Sequence, residues 1–222
     1  MTYTLTDGRE ILAGTPGALR ATLGGLSETW LEADEGPGTW SPWQALAHLT
    51  HIEERDWLGR IDTILVHGAE EDLGPVDREG GFERFARWGV GRVLDRFEGL
   101  RAENLRAFDE LHLGPEDLMR VGRHPELGEV TLGQLLATWA VHDLNHESQI
   151  VKTLAKRYRE AVGPVAAEPR GGRPPLDATR RPRPGRARAG CPTGSRGSTA
   201  RARSCRSTAG GSPRPARTCR RA

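Results

Sequence analysis

The chain has 222 residues, enough for one domain of ordinary size and an appendage, and its net charge of +2 conceals two unlike parts. Residues 166–222 contain 15 Arg, no Lys and two acidic residues, a charge of +13, whereas residues 1–165 contain 17 basic and 28 acidic residues, a charge of −11. An odd number of Cys, all three in the basic part, excludes a disulfide framework. Neither a signal peptide nor an apolar run of about 20 residues is present, so we expect a cytoplasmic protein without a membrane segment.

The first predicted helix lies within residues 8–26, where five aliphatic residues recur at helical spacing. Pro16 and Gly17 interrupt this pattern, so the segment should form either one kinked helix or a short lead-in followed by a helix. The acidic, glycine-rich residues 32–38 that follow are typical of a loop.

The second predicted helix begins at Ser41 and runs to Gly68. Ser41 is a favourable N-cap residue, Pro42 occupies the preferred first position, and Gln44 completes a capping box. Apolar residues occupy more than one side of this helix, which predicts a central element with neighbours on two sides. The polar residues 69–81 that follow are predicted to form a crossover connection.

A third, long helix is predicted within residues 82–111, and Gly89 and Gly91 leave its start undefined. The connection at residues 113–130 is rich in Gly and Pro, with room for one short turn of helix near residues 115–119.

The fourth predicted helix, residues 131–158, is the element around which the chain is organised. Thr131 and Gln134 form a second capping box, and no helix breaker occurs before Gly163. Four helical segments with irregular connections and no alternating strand pattern predict an all-α four-helix bundle.

Three histidines are candidate metal ligands. His142 and His146 lie one turn apart on one face of the fourth helix, a spacing that can chelate a metal, although an isolated pair is more often two packed core residues. The second helix adds His48 on its inward side, where it can meet the pair between facing helices. Three imidazoles leave coordination positions open and suit Zn, Ni, Fe or Cu without distinguishing them. His51 lies about 60° around the helix from His48 and is expected to be more exposed.

Two stretches resemble the signature regions of the DinB-like superfamily of metal-binding four-helix bundles: WSPWQALAHLTHIEERDWLGRI and HPELGEVTLGQLLATWAVHDLNHESQI. The resemblance extends over about residues 8–164 and implies that residues 1–164 form one bundle with an up-down-down-up arrangement. In that family an inward His of the second helix and two His of the fourth hold a divalent metal. The matching positions here are His48, His142 and His146.

Some members of this superfamily use the metal to activate a low-molecular-weight thiol, such as bacillithiol or mycothiol, for S-transfer or isomerisation. The resemblance therefore implies a metal-dependent thiol S-transferase whose partners are a thiol and an electrophile, and it also implies a homodimer. The first alternative is a non-catalytic metal-binding or stress-response module. A zinc peptidase is rejected because the helix reads H-D-L-N-H and lacks the Glu of the H-E-x-x-H motif.

Several polar residues near the predicted ligands have two interpretations. Gln149, one turn beyond His146, is either a hydrogen-bond partner behind the metal site or an amide at the edge of the core. Glu53 and Asp56 match acidic positions that recur in the family, and we expect interhelix salt bridges, with a general-base role as the alternative. Asp143 adjoins His142 without facing it and is not expected to be a ligand.

The remaining candidates are assigned to packing and turns. His124, which precedes Pro125, either closes the mouth of the pocket or belongs to a turn. Three of the tryptophans in the signature regions are expected to pack in the core and at hinges: Trp40, Trp43 and Trp139.

The C-terminal segment, residues 165–222, has no aromatic residue, and after Val165 its only larger aliphatic residue is Leu176, so we expect it to be disordered. As a genuine Arg-rich arm it would bind nucleic acid through phosphate contacts, and otherwise it is a solvated tail. A third interpretation is a frame shift near Pro164, because Arg, Ala, Gly and Pro, which dominate the segment, all have codons made only of G and C. The nucleic-acid signal would then be an artefact.

Overall fold

The structure is a computed structural model that describes residues 3–163, and the predictions for the C-terminal segment lie outside this range. None of the described helices has an apolar stretch long enough to cross a bilayer. The elements in chain order are α1 (Leu5–Leu23), α2 (Glu28–Leu31), α3 (Pro42–Arg55), α4 (Trp57–His67), α5 (Gly80–Phe85), α6 (Val90–Glu110), a 3-10 turn (Asp117–Met119), β1 (Val121–His124), β2 (Gly128–Thr131) and α7 (Leu132–Arg157).

Four helices form the bundle, and α1 and α3 occupy opposite corners because each packs against both α6 and α7. Ion pairs show that α1 and α6 are antiparallel, since Arg9 near the start of α1 contacts Asp109 and Arg20 near its end contacts Asp95. Connections between diagonal corners have to be long, and the 24–41 and 111–131 segments, which make these connections, contain α2 and the β1–β2 hairpin respectively.

The other directions follow from contacts at the centre of the bundle. His48 contacts His142, and Glu53, further along α3, contacts the earlier residue Trp139, so α3 and α7 are antiparallel. The core has two clusters along the axis, and both α1 and α7 pass from the first to the second, so these helices are parallel. The predicted up-down-down-up arrangement is therefore confirmed.

Both predicted capping boxes are present. The Ser41 hydroxyl accepts from the Gln44 main-chain N–H (3.2 Å), and the Gln44 side chain accepts from Ser41 N–H (2.9 Å). Thr131 and Gln134 form the same pair of bonds at 3.1 and 2.8 Å. These boxes satisfy the first free N–H groups of the two helices that carry the histidines, and so set where each helix begins.

The second helix is not continuous to Gly68 as predicted, because it breaks at Asp56 into α3 and α4. At the break the Asn104 side-chain amide, which comes from α6, donates to the main-chain oxygen of Glu53 at 2.7 Å. A side chain that bonds into a helix ladder is a recognised cause of kinks. A partner on another element produces this break, so the local sequence does not reveal it.

The first helix is a single helix, as one of its two alternatives predicted, and the third differs in detail from the prediction. Helix α1 is continuous through Pro16, and the Leu12 carbonyl, which the proline nitrogen cannot bond, accepts from Arg101 Nη1 at 2.7 Å. The third helix starts at Val90 with Gly89 as its N-cap, and the preceding residues form the separate helix α5.

A two-stranded antiparallel hairpin, β1–β2, lies in the connection that was predicted to contain no strand. Its register pairs Val121 with Thr131 and His124 with Gly128, and Gly128 adopts a φ of 78°. The hairpin was missed because each strand has only four residues and no clear alternation of apolar and polar side chains. The predicted helical turn before it is present as the 3-10 turn.

Candidate metal centre

Helices α3 and α7 bring three imidazoles together in the bundle. His48 comes from the middle of α3, and His142 and His146 come from successive turns of α7. One nitrogen of each ring lies within 4.8 Å of the others, and His48 Nε2 is 3.0 Å from His142 Nε2. The three residues singled out in the sequence therefore form a single cluster that could hold a metal ion.

Hydrogen bonds on the outer nitrogens orient two of the rings. His48 Nδ1 lies 2.8 Å from the main-chain oxygen of Arg78, and His146 Nδ1 lies 2.9 Å from Gln149 Oε1. Because both partners are acceptors, each Nδ1 carries the proton and each Nε2 presents a free lone pair. This is the tautomer that a metal-binding imidazole requires.

The third ring has a different environment. Within residues 3–163, His142 Nδ1 is buried without a hydrogen-bond partner. Its Nε2 can donate to His48 Nε2 only while it carries a proton, and that proton is the one that a cation between the rings would replace. The short separation of two ring nitrogens thus fits a shared cation as well as a shared proton.

All three imidazoles are held neutral. Burial lowers the pKa of His48 to about 4 and that of His142 to about 3, and it also lowers the pKa of His146. The positive charge of each neighbouring imidazolium would add to this effect for His48 and His142. Since a metal binds only the unprotonated ring, the cluster is ready to accept a cation at neutral pH.

Two tryptophans enclose the cluster. The Trp40 ring stacks on His146 with a centroid separation of 5.8 Å and lies 4.8 Å from the His48 centroid. Trp57 packs edge-on against His142 at 5.5 Å. Trp40 was expected to pack in the core or a hinge, but its ring covers the histidines because the loop before α3 passes over them.

A cavity of about 380 Å³ opens beside the histidines, between α3, α4, α7 and the hairpin. Apolar side chains form most of its wall, and the polar lining includes Asp56, Arg60, Arg78 and His124. The predicted turn role of His124 is confirmed, because its Nδ1 accepts main-chain N–H bonds within the hairpin turn, and the residue also lines the cavity.

His51 is buried, with 6% of its surface exposed, so the prediction of an exposed residue was wrong. Helix α5 packs across α3 at this point, and Gly81 lies so close that a methyl group there would contact the Ala47 carbonyl. The His51 ring bonds Asp77 (Nε2 to Oδ2, 3.2 Å), which ties down the segment whose Arg78 carbonyl orients His48.

A buried ionic network lies behind the metal centre. Arg101 of α6 binds Glu53 with two bonds of 2.8 Å and Asp143 with one of 2.7 Å, and the ionic side chains are each only 1% exposed. Glu53 also accepts from Asn104 Nδ2 (3.0 Å) and Trp139 Nε1 (3.2 Å). The network joins α3, α6 and α7 one turn away from the histidines.

The contacts in this network test several of the sequence predictions. The interhelix salt bridge of Glu53 is confirmed, and Asp143 pairs with Arg101 and stays away from the cluster. Asp56 instead pairs locally, with Arg60 four residues later at 2.8 Å. Arg101 itself was missed, although a charged residue on the apolar face of the third helix is a signal that could have revealed it.

Comparisons with known proteins agree with this architecture. The model of the DinB superfamily matches residues 11–150. The solved structure of YfiT from Bacillus subtilis, described as a probable metal-dependent hydrolase with an unusual four-helix bundle topology, is 18% identical. It aligns with a TM-score of 0.59 over 68% of this chain and 86% of that chain. The four-helix bundle protein TT2238 is 20% identical over 67% of this chain and 99% of that chain, with a TM-score of 0.46.

The comparison with curated proteins gave no match. The family match covers more than half of the sequence, and the chain therefore belongs to the DinB superfamily.

Proposed function

We propose that the chain is a metal-dependent thiol S-transferase, which binds one divalent metal ion through His48, His142 and His146. The single observation that carries the proposal is the convergence of three neutral imidazoles beside an open cavity. A divalent cation held by three protein ligands lowers the pKa of a thiol or water in its open position and so supplies a nucleophile at neutral pH.

The surroundings of the histidines support a metal site over ordinary core packing. Two of the rings have their outer nitrogens occupied by acceptors, Arg78 O and Gln149 Oε1, which is the usual arrangement around metal-binding histidines.

The cavity supports chemistry on a small molecule. Its volume falls within the range typical of ligand pockets, roughly 300–1,000 Å³, and its wall is mainly apolar. Such a wall would exclude water from a bound cation and would accommodate an apolar electrophile. Asp56 and His124 line the same space and are candidates for moving the proton that the thiol releases.

The first experiment measures metal binding by the full-length chain. We expect one equivalent of Zn²⁺ per chain in the wild type and none in His142→Gln. The matched control is His67→Gln, because His67 is an exposed histidine on α4, outside the cavity. Metal content by elemental analysis and quenching of tryptophan fluorescence by Cu²⁺, with Trp40 and Trp57 packed against the histidines, give independent readouts. Equal metal binding by the wild type and His142→Gln would overturn the proposed site.

The second experiment asks which nucleophile is used. The zinc-loaded chain is incubated with 1-chloro-2,4-dinitrobenzene and bacillithiol, mycothiol, glutathione or no thiol, and release of chloride and thioether formation are followed. The proposal predicts turnover that depends on one thiol and disappears in His142→Gln. Turnover without thiol that yields the phenol would identify water as the nucleophile, and metal uptake without either activity would favour a non-catalytic binding module.

A further inference from the structure

We propose that the cavity beside the histidines is built for an organic acid: Arg60 and Arg78 bind the carboxylate of the substrate, and the apolar wall holds its hydrocarbon body. This inference rests on the proposed function, since it names the substrate class for the same cavity. It is carried by a buried arginine, Arg60, and an exposed arginine, Arg78, which both line a largely apolar cavity.

Arg60 is a buried cation with unused donors. It is only 4% exposed, its Nε donates to Asp56 Oδ1 (2.8 Å), and its Nη2 donates to the Gly74 carbonyl (2.9 Å). The hydrogen bonds within residues 3–163 leave Nη1 without a partner, while the residue lines the cavity. These two bonds hold the guanidinium plane in place, so the Arg60 side chain would lose little conformational freedom when it binds a carboxylate.

Arg78 places a second positive charge at the same cavity. Its main-chain oxygen accepts from His48, and its charge, after burial, is among the causes that lower the pKa of that ring. In the described part of the chain no acidic residue forms a salt bridge with it. Arg78 is an exposed residue that lines the cavity, and its positive charge is therefore available to an anion supplied by the ligand.

Charge and shape together define the ligand. Asp56 is the single acidic residue among the described residues that line the cavity, and it is already paired with Arg60, so two cations face one anion. The apolar wall includes Ile52, Trp57 and Leu135. A carboxylate on an apolar body satisfies both features, whereas an amine would meet two like charges.

The test compares 4-phenylbutyrate with 4-phenylbutyramide, which has the same shape without the charge. Calorimetry on the full-length chain, with and without Zn²⁺, should show the acid binding about tenfold more tightly than the amide. Arg78→Gln should reduce this preference about fivefold or more. The matched control is Arg87→Gln, since Arg87 is exposed and outside the cavity but its loss changes the net charge equally. Arg60→Lys, with folding checked by circular dichroism, should also reduce the preference, because lysine retains the positive charge but lacks the planar guanidinium.

The His142→Gln variant separates this proposal from the metal site. The acid preference should persist in that variant, because the two arginines do not depend on a bound metal. A preference that is lost in His142→Gln but retained in Arg78→Gln would mean that the carboxylate binds the metal alone, and it would overturn the inference. Equal affinities for acid and amide, or equal effects of Arg78→Gln and Arg87→Gln, would also overturn it, even where Zn²⁺ binding is intact.

Discussion

Replacing Arg101 by Met tests whether the buried ionic network determines the stability of the bundle. The substitution retains much of the apolar volume of the side chain and removes a guanidinium that binds Glu53, Asp143 and the Leu12 carbonyl. Two carboxylates would then be left in the core without a cation. We expect a strong destabilisation, because burial of an unpaired charge costs far more than loss of a solvated pair.

The expected magnitude follows from burial. Breaking a buried pair by removing one partner typically costs about 3–5 kcal/mol. The chain supplies its own control in the Arg9–Asp109 pair, which is also bidentate, with distances of 2.7 and 2.6 Å, but is 44% and 46% exposed. Arg9→Met should therefore cost about 0–1 kcal/mol. Hydrogen-bond geometry is nearly the same in the Arg9–Asp109 and Arg101–Glu53 pairs, so the difference reports burial together with the additional bonds of Arg101 to Asp143 and the Leu12 carbonyl.

Urea unfolding of the full-length chain, followed by circular dichroism, gives the free energy of unfolding for the wild type and both variants. The Arg101→Met defect should be smaller at pH 5 than at pH 8. Burial already raises the pKa of Asp143 while Arg101 lowers it, so without the guanidinium this carboxyl protonates more readily. Equal costs for Arg9→Met and Arg101→Met, or a defect independent of pH, would refute this reasoning.

Three further outcomes are expected. The metal-free protein should lose about 2 kcal/mol of stability for each of His48 and His142 between pH 8 and pH 5. Their folded pKa values, about 4 and about 3, lie below the ordinary 6.5, so the unfolded chain takes up protons first as the pH falls. Urea unfolding of the metal-free protein across this pH range should show the loss of stability. A free energy of unfolding that does not change with pH would contradict the prediction. Gln149→Leu should weaken Zn²⁺ binding about tenfold without unfolding the chain, as measured by chelator competition, and unchanged affinity would limit Gln149 to packing. Gly81→Ala should cost about 1–3 kcal/mol because its methyl group meets a carbonyl of α3, whereas Gly91→Ala, where the space is open, should be neutral or stabilising in thermal unfolding.

The sequence alone was sufficient for the main features of the bundle because those features are encoded locally. Capping boxes at Ser41 and Thr131 defined where two helices begin, since the side chains and the N–H groups that they satisfy are three residues apart. The spacing of His142 and His146 placed both rings on one helical face, and the inward side of the second helix indicated His48.

The tertiary structure alone decided how those elements are interrupted and what surrounds the histidines. The break at Asp56 depends on Asn104, and the burial of His51 depends on α5, so each partner comes from a distant part of the chain. The ionic network and the two arginines of the cavity depend on which helices are neighbours, and charges distributed along a sequence do not specify that. Helical periodicity tells which side of a helix is buried, but it carries no information about the residue that faces it across the core.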